Sequence, residues 1–383
     1  MRRYLALLVA AMIFAGAPAT AATEPAYIVI DAENGAVLLH SQADQPWYPA
    51  SVTKLMTAYL AFQALRSGRL KLSSPVRISQ AAANEPSRKM GFKAGTVLNV
   101  DNALKIMLVW SANDIAWAVA ETVGGSKTRF VEAMNAEARR VGMASTRFAN
   151  PNGWHDDQQF STARDLAVLA RAIWLEFPEY REYFGIPAIR SGKKILRSAN
   201  QLLEHFPGAN GMKTGYTCPS GLNLAASVER NGRTLIAVVL GAQSSLQRTE
   251  LTASLLSRGF RTWAGPTRPR LASFAVGPSR GSPVNMREQV CGKQVPVEDE
   301  DTAEAVAARA SASGLVPRFV LMDPVAIYTG RADPGPGEVG GPPPAGMPMP
   351  TLRPRVPVGA TALPDETAAL PEVEPPPSLA NPN

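Results

Sequence analysis

The sequence predicts an α/β domain of the α+β kind, one antiparallel sheet flanked by helices, and three observations lead there. Near the start, "AYIVIDAENGAVLLHS" places two short apolar runs around Asn34-Gly35, a hairpin signal. The middle of the chain repeats apolar residues at helical spacing. Later, "LNLAASVE" and "TLIAVVLGA" read as buried strands joined through Arg230-Asn231-Gly232-Arg233. Strands at both ends with helices between them bring the two halves of one sheet together.

In chain order, "MRRYLALLVAAMIFAGAPATAATEP" opens with Arg2 and Arg3, continues through an apolar run and offers a small-residue cleavage site at Ala19-Thr20-Ala21. That is the layout of a secretory signal peptide over residues 1–21, the alternative being an uncleaved anchor. The run is short for a membrane span, which needs about twenty residues. No other stretch suits a bilayer, so the expectation is a soluble, exported, periplasmic protein. Residues 22–265 form the predicted main domain. Helical periodicity runs from Ser51 to about Arg66, then through "DNALKIMLVWSANDIAWAVAETVGG", with a polar break at Ser111 and an end at Gly124-Gly125. "SKTRFVEAMNAEARRVGM" and "TARDLAVLARAIWLEF" are further amphipathic helices, separated by the loop "FANPNGWHDDQQFS". The second hairpin is followed by a helix, "LQRTELTASLLSRGFRTW". Residues 266–332 read as a small C-terminal appendage, with a strand-like run "RFVLMDPVAIYTG" and a helical piece around Glu298–Ala312. From Asp333 to Asn383 the Pro-rich composition predicts a disordered tail.

The 383 residues are 45% apolar, enough for a substantial core. A net charge of +7 permits attraction to anionic polymers. No aromatic–basic interleaving argues for nucleic acid. His40, His155 and His205 are scattered and no CxxC occurs, so neither a metal site nor another cofactor is expected. Cys218 and Cys291 can pair as a disulfide in an oxidising compartment or remain free thiols.

Three polar islands carry the chemistry. In "PASVTKLMT", Ser51 and Lys54 stand three apart and share a helix face. Serine needs a base to become a nucleophile. A lysine serves only when its amine is neutral, through desolvation or a nearby cation. A helix N-terminus adds a positive field and free N–H groups suited to an oxyanion. Alone, the pair reads better as a helix cap and a solvated lysine. The second island is "SAN" at Ser111–Asn113, where the bland reading is another cap. The third, "MKTGYT" at residues 212–217, precedes the buried hairpin, where Gly215 permits close backbone approach and an ordinary turn is the alternative. A second "SAN" at Ser198–Asn200 shows how common that tripeptide is; it lies too close to Lys213 for the middle role.

The ordered set S-x-x-K, S-x-N and K-T-G is far less common, and it resembles that of the penicillin-recognising serine acyl-transferases. S-A-N in place of S-D-N points away from class A β-lactamases and toward low-molecular-mass penicillin-binding proteins of the D-alanyl-D-alanine carboxypeptidase type. "YPASVTKLMTAYLAF", "NPNGWHDDQQFSTARDLAVLA" and "GANGMKTGYTCPSGLNLAAS" look like the same family, and the resemblance spans roughly residues 25–265. It implies a β-lactamase/transpeptidase-like fold.

The resemblance also implies roles. Ser51 would attack the carbonyl between two terminal D-alanines of a peptidoglycan stem peptide, Lys54 would be its base, and Ser111 would relay a proton to the leaving amine. Asn113 would hold the substrate peptide or Lys54, while Lys213 would keep Lys54 neutral by repulsion. The backbone N–H groups of Ser51 and Tyr216 would form the oxyanion hole, and Thr214 would bind the terminal carboxylate. Arg248 is a plausible second partner for that carboxylate, a solvated helix arginine being the alternative. A Cys218–Cys291 bond would tie the appendage against the catalytic rim; a nucleophilic Cys218 is discounted.

The expected activity is D,D-carboxypeptidase, with β-lactams as covalent inhibitors. A D,D-endopeptidase would use the same residues. A β-lactamase is weaker because "NPNGWHDDQQFS" lacks a glutamate, and a non-catalytic wall-binding protein is weaker because all three motifs stand intact. The tail offers no amphipathic membrane helix, which puts membrane attachment in doubt.

Overall fold

A computed structural model describes residues 23–86, 88–274, 281–292 and 314–328. The predicted signal peptide, the helical piece around 298–312 and the Pro-rich tail lie outside the described residues.

The hairpin at the start is β1 (Ala26–Asp31) and β2 (Val37–Ser41). A 3₁₀ turn, Ala50–Thr53, leads into α1 (Lys54–Arg66). The short antiparallel pair β3 (Pro75–Arg77) and β4 (Val97–Asn99) brackets α2 (Gln80–Ala83) and the loop after it. Then come α3 (Val100–Lys105), a π-turn at Ile106–Trp110, α4 (Asn113–Gly124), α5 (Lys127–Val141) and α6 (Ala163–Glu176). The hairpin β5 (Ala188–Ser191) and β6 (Lys194–Arg197) and the one-turn α7 (Leu202–His205) precede β7 (Ala209–Thr217), β8 (Gly221–Arg230) and β9 (Arg233–Ala242). α8 (Ser245–Arg261), α9 (Arg287–Cys291) and β10 (Val325–Ala326) complete the described elements.

The main sheet has the order β2-β1-β9-β8-β7, so the two predicted hairpins meet along β1 and β9. It is buried on both faces, which explains the nearly unbroken apolar runs of β9. Ile236, Val238 and Leu240 join the core under the helices, while Leu235, Ala237 and Val239 face the opposite cluster beneath α8. This is the two-residue alternation of a strand with both faces covered. α1 is apolar on every side and buried on nearly all of them, as expected of a helix within a core. Its N-terminus is therefore held rigidly.

Residues 212–217 are not a turn before the hairpin but part of β7, the edge strand. Register fixes what that strand presents. Ile28 pairs with Val238, Val238 with Ala225 and Ala225 with Lys213, so Lys213 shares the face that looks toward α1. Two positions further, Gly215 pairs with Asn223. The Asn223 amide donates to the carbonyls of Tyr48 and Pro49, anchoring the 3₁₀ turn against the sheet.

The described parts of residues 266–328 lie along the main domain as short segments. Val37 N donates to Pro269 O and Leu271 N to Gly35 O. β10 pairs in parallel with β5. Leu271, Met286, Leu315 and Ile327 are buried in the two clusters already described.

Candidate active site

Neither Ser51 nor Ser111 is the N-cap of the helix that follows it, although Ser111 is the C-cap of the π-turn before it. The α1 N-cap is Thr53, without a side-chain cap bond, and that of α4 is Ala112. Ser51 lies inside the 3₁₀ turn, and Lys54 Nζ stands 2.9 Å from its Oγ. Ser111 follows the π-turn in the left-handed region at φ 63°, a conformation uncommon for a residue with a side chain. It lines the same cleft as Ser51. π-turns are frequent where a helix must re-aim a functional side chain.

Lys54 is fully buried rather than solvated. Its Nζ is 2.8 Å from Asn113 Oδ1 and 2.5 Å from the Asn152 carbonyl. A neutral amine has two N–H groups and one lone pair. In that form these two acceptors would take both N–H groups and leave the lone pair for the Ser51 hydroxyl, whereas a charged ammonium would donate to all three. The surroundings favour the neutral form. Burial pushes the Lys54 amine well below its ordinary range; the positive charges of Lys213 and Arg88 push the same way, against Asp114 and Glu85. Repulsion by Lys213 is thus the second cause and desolvation the first.

Lys213 is itself buried, and its Nζ donates to the Thr214 carbonyl at 3.0 Å. Burial, followed by the charges of Arg88 and Arg248, lowers it to about 7. Gly215 backs directly onto the 3₁₀ turn: a Cβ there would sit 3.0 Å from Ser51 N and 2.8 Å from the Pro49 carbonyl. Thr214, Gly215 and Tyr216 line the cleft, with the Tyr216 ring half exposed. Arg248 is buried on α8 at the cleft wall, not solvated. It donates to Ser245 Oγ at 2.8 Å and to the Ala199 carbonyl at 2.9 Å. The second "SAN" thus borders the cleft after all, supporting Arg248 through its backbone. Cys218 and Cys291 are joined by a disulfide that ties α9 to the end of β7.

Several residues around the site were not singled out by the sequence. Asn152 in the "NPNG" loop places its carbonyl on Lys54, and its amide donates to Glu85 Oε2 at 2.6 Å. Thr57 holds the same loop through the Pro151 carbonyl. Arg88 lies over the Trp110 ring at 3.8 Å, and its carbonyl accepts from Asn113 N at 2.7 Å. Asp114 accepts from the backbone N–H groups of Met90 and Gly91, pinning the loop that carries Arg88. A polar residue buried beside a motif, such as Asp114, was the one available signal. Asn152, Glu85 and Arg88 have no local pattern to betray them.

The cleft, of about 480 Å³, joins Ser51, Ser111, Asn113, Thr214, Gly215, Tyr216 and Arg248. With Lys54 and Lys213 behind it, a hydroxyl, a desolvated amine and clustered positive charge face one cavity. That equipment suits acyl transfer to serine from a carboxylate-bearing substrate.

The fold and site define a serine acyl-transfer domain of the penicillin-binding protein and transpeptidase class. The chain belongs to the D-alanyl-D-alanine carboxypeptidase family, peptidase family S11, whose model matches residues 13–244. It is similar to the D-alanyl-D-alanine carboxypeptidase DacC of Escherichia coli, 36% identical over 249 residues, covering 62% of this chain and 61% of that protein. Among solved structures it resembles penicillin-binding protein 5 from Haemophilus influenzae, with TM-score 0.59 and 33% identity, covering 62% of this chain and 70% of the other. Penicillin-binding protein D2 from Listeria monocytogenes in its cefotaxime-bound form gives TM-score 0.57 and 30% identity, covering 61% and 96%. The chain spans about three fifths of the length of the first relatives it matches, 61% for both DacC and DacF of Bacillus subtilis.

Proposed function

We propose that this protein is a serine-type D-Ala-D-Ala carboxypeptidase that removes the terminal D-alanine from peptidoglycan pentapeptides and is acylated by β-lactams. The observation that carries the reading is the buried Lys54 amine, whose Nζ stands 2.9 Å from Ser51 Oγ and is also held by Asn113 Oδ1 and the Asn152 carbonyl.

In this reading the Ser51 proton passes to Lys54 as Oγ attacks the carbonyl between the two D-alanines. The negative charge on that oxygen is met by the backbone N–H groups of Ser51 and Tyr216, a role supported by the close contact of Gly215, the residue before Tyr216, with the 3₁₀ turn that carries Ser51. The proton from Lys54 then travels through Ser111 to the leaving amine, and the C–N bond breaks. D-Alanine departs, leaving Ser51 as an ester. Water attacks that ester and gives a proton to Lys54, which passes it to Ser51 Oγ as the ester C–O bond breaks, freeing the shortened peptide as its carboxylic acid and restoring the Ser51 hydroxyl. Thr214 and Arg248 hold the substrate's terminal carboxylate, and Lys213 adds positive potential. A β-lactam enters the same path because its amide mimics the D-Ala-D-Ala bond.

Family membership and the leader "MRRYLALLVAAMIFAGAPATA" support export, and we place the protein in the periplasm. Among the described residues no helix is long and apolar enough to cross a membrane.

The test is Ser51→Ala. The parent protein should label covalently with a fluorescent penicillin and release free D-alanine from a pentapeptide, and the variant should do neither. Labelling that survives the substitution would reject the mechanism. Cleavage of cross-linked dimers in place of pentapeptides would turn the reading toward an endopeptidase.

A further inference from the structure

On the carboxypeptidase reading, on which this inference rests, the cleft holds more positive charge than one terminal carboxylate needs. Arg88, Arg248 and Arg287 all line it, each from a different part of the chain, and no described lining residue is acidic. Arg248, with Thr214, accounts for the substrate's C-terminus. Arg88 is built into the wall behind Asn113, stacked on Trp110. Arg287 is different. It is exposed, and among the described residues its guanidinium has no carboxylate partner.

An exposed arginine is ordinarily unremarkable, but the backbone carrying this one is fixed to the cleft. The Cys218–Cys291 disulfide closes α9 onto the end of β7. Met286, the residue before Arg287, is fully buried, and its N–H donates to the Pro219 carbonyl at 2.9 Å. Val284 N donates to the Pro46 carbonyl at 3.1 Å. Tyr216 OH lies 3.2 Å from Cys291 Sγ, so α9 also abuts the ring that flanks the proposed oxyanion hole. Arg287 therefore stands at the Thr217–Pro219 end of the strand that carries the third motif.

The edge strand sets the direction of the substrate. Among the described residues no strand pairs with the outer edge of β7, to which an extended peptide can add. With the terminal carboxylate at Thr214 and the scissile carbonyl beside Gly215 and Ser51 N, the rest of the peptide runs antiparallel to β7, toward Thr217 and Pro219. At about 3.4 Å per residue, the residue preceding the D-Ala-D-Ala pair arrives at the mouth where Arg287 stands.

We propose that Arg287 forms a subsite for a carboxylate on the side chain of the residue preceding D-Ala-D-Ala, so that the enzyme favours stem peptides in which that carboxylate is free. A guanidinium fork matches a carboxylate in two-point contact. The disulfide holds the fork in register with β7.

The experiment uses the full-length oxidised protein and two peptides ending in D-Ala-D-Ala, identical except that the preceding residue carries either a side-chain carboxylate or its amide. The readout is kcat/KM for release of D-alanine. The parent should favour the carboxylate peptide about tenfold, the scale of one charge-assisted contact at a partly solvated site. In Arg287→Gln the ratio should fall toward one, chiefly through KM. Arg287→Glu should invert it, and Cys291→Ser, which unties α9, should reduce it. A parent that cleaves both peptides equally, or an Arg287→Gln variant that keeps the preference, overturns the subsite while leaving the carboxypeptidase reading standing. A parent that neither cleaves nor labels with penicillin overturns both.

Discussion

Gly153→Ala probes the packing behind Ser51 most sharply. Gly153 sits at φ +83°, and a Cβ built on it falls 1.9 Å from the Ala50 carbonyl oxygen, 2.4 Å from its carbon and 2.9 Å from Ser51 N. Ordinary contact begins near 3.4 Å, so something must retreat by about 1.5 Å. If the Ala50 carbonyl retreats, its peptide plane turns and the Ser51 N–H swings with it, away from the proposed oxyanion position. If the loop retreats instead, the Asn152 carbonyl leaves Lys54 Nζ, now 2.5 Å away. Either movement disturbs the site at its centre. The left-handed conformation costs a side chain roughly 1–2 kcal/mol and overpacking roughly 1–3 more, so the fold should lose about 2–5 kcal/mol. At about 2–4 °C per kcal/mol for a domain of this size, the melting temperature should drop by roughly 5–15 °C. A displacement of about 1 Å at a reacting group costs on the order of 100-fold in rate. The assay is the second-order rate of penicillin labelling at a temperature where circular dichroism shows the variant folded, beside its melting curve. A variant that melts within about 2 °C of the parent and labels within twofold would refute this account of the loop.

Lys213 makes two opposed predictions about pH. On the proposed reading its ammonium serves the carboxylate end of the substrate; with burial lowering it to about 7, kcat/KM for a D-Ala-D-Ala peptide should decline as pH rises above about 7. The folded value lies below the ordinary 10.5, so between about 7 and 10.5 the unfolded chain binds more protons and stability should rise with pH, by up to about 1.4 kcal/mol per unit. Denaturation at pH 7 and pH 9 reads the second trend, and Lys213→Met should reduce the slope, the buried Lys54 amine supplying the remainder, while raising the melting temperature and lowering activity. A stability that falls across that window would contradict the burial of a neutral amine. Asp114→Asn should slow penicillin labelling by about tenfold without abolishing it, because the loop carrying Arg88 loses a charged acceptor for the backbone of Met90 and Gly91; an unchanged rate would remove that loop from the site.

Much of this architecture was legible because the helices and the second hairpin follow simple periods. Buried α1 and the β8–β9 pair are apolar enough that pattern and fold agree. β7 escaped because Gly211, Lys213, Thr214 and Gly215 look like a turn; only pairing with β8 makes them a strand. The β5–β6 hairpin escaped for a similar reason, with Gly192 and adjacent lysines interrupting a short apolar run. In the site, Ser51 and Lys54 are neighbours on one helical turn, and their relation could be read locally. Glu85 and Arg88 from the loop after α2, and Asn152 from the loop before α6, reach Lys54 or its neighbours, and no spacing records that convergence. The cause of the lowered Lys54 affinity for protons was likewise invisible: a sequence shows a second lysine, but not that desolvation outweighs it.

Among the described residues no further strand pairs with the outer edge of β7, and that has a further consequence. On the proposed reading this edge accepts a peptide from outside and so stays open, and an open strand edge invites pairing with the same edge of a second molecule. Lys213 lies beneath it, while Arg88, Arg248 and Arg287 stand around it. Two copies approaching rim to rim would crowd eight basic groups into a narrow space, whereas a peptide ending in a carboxylate relieves the same crowding. On that reading the charges that would welcome the substrate also disfavour pairing of two such edges.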